Sequence, residues 1–191
     1  MRNIILAVTG SVAAIKIQHI AESLKQFANV QIVITKQSEY FVQSAFNAIK
    51  RLNIPIYRDH DEWPILNGPY QVGESILHIE LRRWADLFLL APMDANTLAK
   101  IANGLCDNLL TSIVRAWDWN RPMIVCPAMN TMMWNNPPTG NQIALLRQWG
   151  ATIISPVEKK LACQDIGMGG MASVEDIMHF VKMNFAQNKE I

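Results

Sequence analysis

A single α/β domain spanning residues 1–191, built on a doubly wound parallel sheet of about five or six strands, is the fold class predicted for this chain. Three observations carry it. Short continuous apolar runs such as Ile4 to Val8 and Leu87 to Ala91 read as strands buried on both faces. Between them lie segments with apolar residues at intervals of three and four, the period of an amphipathic helix. The exits of the runs are small and polar or closed by proline: Thr9 to Val12, Thr35 to Gln37, Pro92 to Thr97 and Pro127 to Asn130. In an open parallel sheet the crevice beyond the strands' carboxyl ends is where ligands bind. Convergent polar exits therefore predict a flat, phosphate-bearing cofactor held by backbone amides and amide side chains.

Ile4 to Val8 is the first strand, and Thr9-Gly10-Ser11 turns it into a helix whose apolar face is Ala13, Ile17, Ile20, Leu24 and Phe27. Free N–H groups at that helix start suit an anion, although the turn has neither dinucleotide-binding glycine spacing nor a nucleotide-loop lysine, and a plain tight turn explains it equally well. Val30 to Thr35 is the second strand, followed by Lys36, Gln37 and Ser38 at the same edge. Ile54 to Ser75, rich in Pro, Gly, Asp and Asn, reads as a long surface excursion. Leu77 to Arg83 alternates apolar and ionisable residues, so that an extended segment would put His78, Glu80 and Arg82 on one face. Leu87 to Ala91 is a buried strand closed by Pro92, and Asp94 is placed to cap the helix after it. Asp107 to Trp117 is a further helix. Met123 to Cys126 is the next strand, closed by Pro127, and Asn130 stands just past its end, as a ligand-facing amide or simply as a turn cap. Pro138 to Trp149 is helical and Thr152 to Ile154 a last short strand. Gly167, Gly169 and Gly170 within four positions predict a loop able to fold over a ligand rather than a regular element. Ser173, with Asp176 three residues on, opens the final helix.

Half of the residues are apolar and 17% are charged, which is ordinary for a packed domain of 191 residues. A net charge of +1 with scattered Lys and Arg argues against a nucleic-acid surface. The apolar run after Arg2 is too short for a signal peptide, and no stretch approaches a membrane span. Cys106, Cys126 and Cys163 are odd in number and lack metal-type spacing, which fits a reducing, cytoplasmic compartment and no bound metal.

Five motifs share their order and spacing with a known family. They are Thr9-Gly10-Ser11-Val12-Ala13-Ala14, His78 within Leu-His-Ile-Glu-Leu, Ala91 to Leu98, Pro127-Ala128-Met129-Asn130-Thr131-Met132-Met133-Trp134, and Leu161-Ala162-Cys163-Gln164-Asp165. From about residue 3 to 185 the chain resembles the phosphopantothenoylcysteine decarboxylases, which belong to the flavin-containing cysteine decarboxylases. The resemblance implies a Rossmann-like (flavodoxin-like) sheet, FMN as cofactor, and a homotrimer with FMN and substrate at subunit interfaces. It implies that Gly10, Ser11 and Val12 meet the FMN phosphate, with Thr35, Lys36 and Gln37 nearby. Asp94, Ala95, Asn96, Thr97 and Met129 would hold the flavin. Asn130 would bind the substrate carboxylate, and Lys160, Ala162 and Met171 would belong to a clamp over the substrate. His78 would be the acid/base and Cys163 the final proton donor. One departure from the pattern is Gln164, where relatives usually carry glycine.

The implied reaction explains why those types are needed. A cysteine amide does not lose CO₂ readily, because the electrons left on its α-carbon have no acceptor. Oxidation of the substrate's CH₂–SH to a thioaldehyde, with FMN taking the two electrons, supplies one, and CO₂ leaves an enethiol. Hydride return and a proton from an acid such as the Cys163 thiol then give 4′-phosphopantetheine, a step in coenzyme A biosynthesis. Two other readings compete. A flavin prenyltransferase would share the fold and the first turn but leave Pro127 to Trp134 and Cys163 unexplained. A regulatory flavoprotein, of the phosphatase-inhibitor kind, would be expected to carry a long acidic extension, and the sequence ends at Ile191 without one and without a fused synthetase.

Overall fold

Alternation along β1 (Arg2–Val8) explains why this strand lies in the middle of the sheet. Ile4, Leu6 and Val8 enter one apolar core and Ile5 and Ala7 the other, and all five are fully buried. The same division runs through β4 (Leu87–Met93) and β5 (Met123–Pro127): Leu89 and Ile124 join the first core, Phe88 and Val125 the second. The computed structural model describes residues 1–63, 70–160 and 166–187. In it a six-stranded, wholly parallel sheet has the order β3-β2-β1-β4-β5-β6, where β2 is Ala28–Ile34, β3 Ile56–Tyr57 and β6 Thr152–Ile153. This is the doubly wound, Rossmann-like sheet expected, and its winding reverses between β1 and β4.

Helices cover both faces. A short 3₁₀ turn (Val12–Lys16) leads into α1 (Ile17–Lys25), which packs with the C-terminal α10 (Val174–Gln187) on the first core. α2 (Lys36–Val42) and α3 (Phe46–Arg51) follow β2 on that side. The second core is closed by α5 (Leu77–Trp84), α6 (Ala95–Ala102), α7 (Leu109–Arg115) and α9 (Pro137–Gln148), while α4 (Asp59–Glu62) and α8 (Thr131–Trp134) are single turns. Beyond the main sheet, β7 (Val157–Lys160) and β8 (Ile166–Gly170) form an antiparallel ribbon. Among the described residues no helix is long and apolar enough to cross a membrane.

Several expectations are corrected. Leu77 to Arg83 is helical, not extended, because Leu77, Leu81 and Trp84 pack on the second core at helical spacing and the apparent alternation is incidental. His78 therefore shares its helix face with Arg82, not with Glu80. The excursion from Ile54 to Ser75 contains β3 and α4, with residues 64–69 outside the description. β4 runs through Pro92 to Met93 with a shift of register after Leu90, so the proline lies inside the strand instead of closing it.

The glycine-rich segment is a strand rather than a loop, and the reason is proximity. At Gly169, φ is +139° and a Cβ would collide with the Met129 carbonyl oxygen, whereas the bare backbone lets the Gly169 carbonyl accept the Met129 N–H at 3.0 Å. Only glycine combines that conformation with that approach. Replacing Gly169 with alanine should lower the free energy of unfolding by roughly 2 kcal/mol or more in urea denaturation. Gly140→Ala, where a Cβ meets nothing within 4 Å inside α9, should be neutral or stabilising in the same measurement.

Candidate active site

Three strand exits converge where the winding reverses, and one hydroxyl joins two of them. Thr9, fully buried after β1, donates its Oγ1–H to the Pro92 carbonyl at 2.9 Å and accepts the Asp94 N–H at 2.8 Å. Its own N–H reaches the Pro92 carbonyl at 3.2 Å. Asp94 caps α6 as expected, accepting the Thr97 N–H at 2.7 Å. On the other side the Ala128 N–H donates to the Met93 carbonyl at 2.9 Å, which ties the β5 exit to the β4 exit. Asn130 caps α8, accepting the Met132 N–H at 2.8 Å.

These exits, the 3₁₀ turn and the β7–β8 ribbon enclose an open cleft of about 940 Å³. That is near the top of the range for small-molecule clefts, about 300–1,000 Å³. Of the residues to which the resemblance gives a role, Gly10, Ser11, Val12, Asp94, Ala95, Asn96, Met129, Asn130 and Met171 line it. Thr35, Lys36, Gln37 and Thr97 do not. Gln37 backs the first turn: a Cβ on Gly10 would lie 2.7 Å from the Gln37 Cβ, so α2 presses the turn from behind. Lys160 ends β7, and Ala162 and Cys163, with residues 161–165 as a whole, lie outside the described residues. Cys126 is fully buried, and burial pushes its thiol well above the usual range, leaving it protonated and inert.

His78 lies apart from the cleft lining, at the start of α5. Its backbone N–H donates to Glu62 Oε2 at 2.9 Å and its ring Nδ1 meets Glu62 Oε1 at 2.5 Å. The Glu62 side chain is only 2% exposed. A carboxylate can only accept, so Nδ1 carries the proton that faces Glu62. Glu62 went unnoticed in the sequence because it sits 16 residues before its partner, in a segment without a strong pattern. Lys16, Lys159 and Met133 were also missed as cleft residues.

The cleft fits a flavin mononucleotide. No hydrogen bond among the described residues uses the N–H groups of Gly10 or Val12, two residues that line the cleft at the switch point, so both N–H groups could serve an anion there. Apolar Val12, Ala128, Met129 and Met171 supply walls for a flat ring. The Thr35 hydroxyl, buried beside the turn, has no partner among the described residues.

Similarity to known proteins agrees with this geometry. The flavoprotein family profile matches residues 1–186. The chain belongs to the flavoprotein family. A probable phosphopantothenoylcysteine decarboxylase of Arabidopsis thaliana is 49% identical over 180 residues, covering 94% of this chain and 87% of that protein. A solved PPC decarboxylase, a cysteine-to-serine variant complexed with pantothenoylaminoethenethiol, superposes with a TM-score of 0.89 at 44% identity, covering 97% of this chain and 98% of that one. The FMN-binding protein AtHal3 superposes with a TM-score of 0.86, again at 44% identity and with 99% of both chains covered.

Thr9→Val keeps the volume and removes the hydroxyl, leaving the Asp94 N–H without an acceptor. The variant is expected to lose about 1–3 kcal/mol of stability and part of its bound flavin, read by denaturation and by flavin absorbance per chain, with Thr9→Ser restoring both.

Proposed function

We propose that this chain, working as one flavoprotein domain over residues 1–191, decarboxylates 4′-phosphopantothenoylcysteine to 4′-phosphopantetheine with FMN as cofactor, in the cytoplasm, on the route to coenzyme A. The observation that carries the reading is the cleft at the winding reversal, where the Gly10 turn, Asp94 to Asn96 and Met129–Asn130 meet in a chain nearly half identical to decarboxylases of that name. FMN, when bound, accepts two electrons from the substrate thiol and later returns them.

The chain's residues do the rest. Gly10 and Val12 bind the cofactor phosphate through backbone N–H groups and Ser11 through its hydroxyl, its own N–H being donated to the Thr9 carbonyl, with Thr35, Lys36 and Gln37 supporting the turn from behind. Asp94, Ala95, Asn96 and Thr97 form the α6 start that faces the ring system, and Met129 lies against it. Asn130 binds the substrate carboxylate, and Lys160, Ala162 and Met171 close over it. Cys163 delivers the last proton to the enethiol. That role is supported by the solved relative in which a cysteine is changed to serine and pantothenoylaminoethenethiol is held. A chain stalled before the final proton transfer would retain such a compound.

His78 is the acid/base, with Glu62 holding its tautomer, and it acts in the cleft of a neighbouring chain. Two features favour a homotrimer with interfacial sites. His78 does not line its own cleft, and the exposed apolar side chains of Val12, Ile15 and Met133 line that cleft. A partner covering them would bury that patch and contribute a histidine.

Incubation of the purified protein with phosphopantothenoylcysteine, followed by mass spectrometry, tests the reaction. The wild type should release CO₂ and phosphopantetheine, while Cys163→Ser should yield a species lighter than the product by two hydrogens. Normal turnover by the variant removes Cys163 from the mechanism, and a wild type that neither binds FMN nor releases CO₂ removes the reading.

A further inference from the structure

Two ammonium groups share the cleft, and neither belongs to an ion pair among the described residues. Lys16 ends the 3₁₀ turn and Lys159 sits on β7, and both line the cavity. No salt bridge among the described residues involves either one. Asp94 is the sole acidic side chain in the described lining, and its carboxylate is engaged with the Thr97 N–H. Lys159 is held in place: its stem lies across Gly170, where a Cβ would collide with it, and Nζ approaches the Met171 carbonyl at 3.5 Å. Burial, and then the charge of Lys16, hold the Lys159 ammonium below the usual lysine range, so the two cations are near enough to repel each other.

Two like charges facing one cleft, with no counter-ion among the described residues, are an arrangement that an anion between them relieves. The proposed function already places two anions. The cofactor phosphate has the backbone N–H groups of the Gly10 turn, and the substrate carboxylate has Asn130. The substrate's remaining anion is its phosphate monoester, a dianion for which a pair of lysines is a suitable receptor. We propose that Lys16 and Lys159 together bind the substrate's phosphate and so make the enzyme prefer the phosphorylated substrate over pantothenoylcysteine. The inference rests on the decarboxylase reading and adds the source of its specificity.

The test uses flavin-loaded wild type, Lys16→Gln, Lys159→Gln and the two lysine-to-arginine variants. kcat/KM is measured for phosphopantothenoylcysteine and for pantothenoylcysteine, with flavin absorbance per chain recorded in parallel. The wild type should favour the phosphorylated substrate at least tenfold. Each glutamine variant should lose about tenfold of that preference, the loss expected for one charged hydrogen bond, mainly through KM and with flavin content retained. The arginine variants should recover much of it. A preference unchanged in the glutamine variants overturns the proposal, as does a wild type that treats both substrates alike. Loss of flavin with preference intact also overturns it and assigns the lysines to the cofactor phosphate. A wild type that turns over neither substrate defeats the underlying function first, which separates the two failures.

Discussion

The Thr9 hydroxyl is the point on which the site's geometry depends. It sits at the single place in the sheet where the winding reverses, and there the helices after β1 and β4 leave toward opposite faces. Such a divergence opens a crevice, and the backbone on its two sides would be unpaired without a bridge. Thr9 donates to one strand's carbonyl and accepts from the next residue but one, so it fixes the Gly10 turn relative to the α6 N-terminus. Buried polar groups are costly unless paired, and this one has both its partners inside the protein.

The third side of the cleft comes from a different device. The β7–β8 ribbon is not part of the main sheet, yet its Gly169 carbonyl pairs with the Met129 N–H and lays the ribbon against the β5 exit. Met171, at the end of the ribbon, is buried in the first core. The segment that the sequence marks as a cover for ligands is thus anchored at the C-terminal end of β8, by Gly169 and Met171.

Electrostatics divide the site's labour. Backbone N–H groups, which carry no net charge and do not titrate, serve the first turn, whereas the ammonium groups of Lys16 and Lys159 lie elsewhere along the same cleft. His78 is set apart from the cleft lining, its ring oriented by the buried carboxylate of Glu62. The chemistry is distributed over separate elements, and the sheet edge is the common reference for all but the histidine.

Much of this was legible in the chain alone. Strands that are apolar on both faces, such as Ile4 to Val8 and Leu87 to Ala91, announce a parallel sheet because burial on two sides leaves no polar alternation. Asp94 as a helix cap and the polar exits at Gly10 and Asn130 followed from local chemistry in the same way. What needed the tertiary structure was whatever depends on contacts distant in sequence. The pairing of Glu62 with His78, the Thr9 bridge over more than 80 positions and the approach of Lys159 to the cleft of Lys16 leave no trace in spacing. The helical state of Leu77 to Trp84 and the strand at Ile166 to Gly170 belong to the same class, because neighbours in space overrode a local pattern that pointed elsewhere. Local periodicity fixes which face of an element is apolar, while only the packed chain decides which distant backbone or side chain that face will meet.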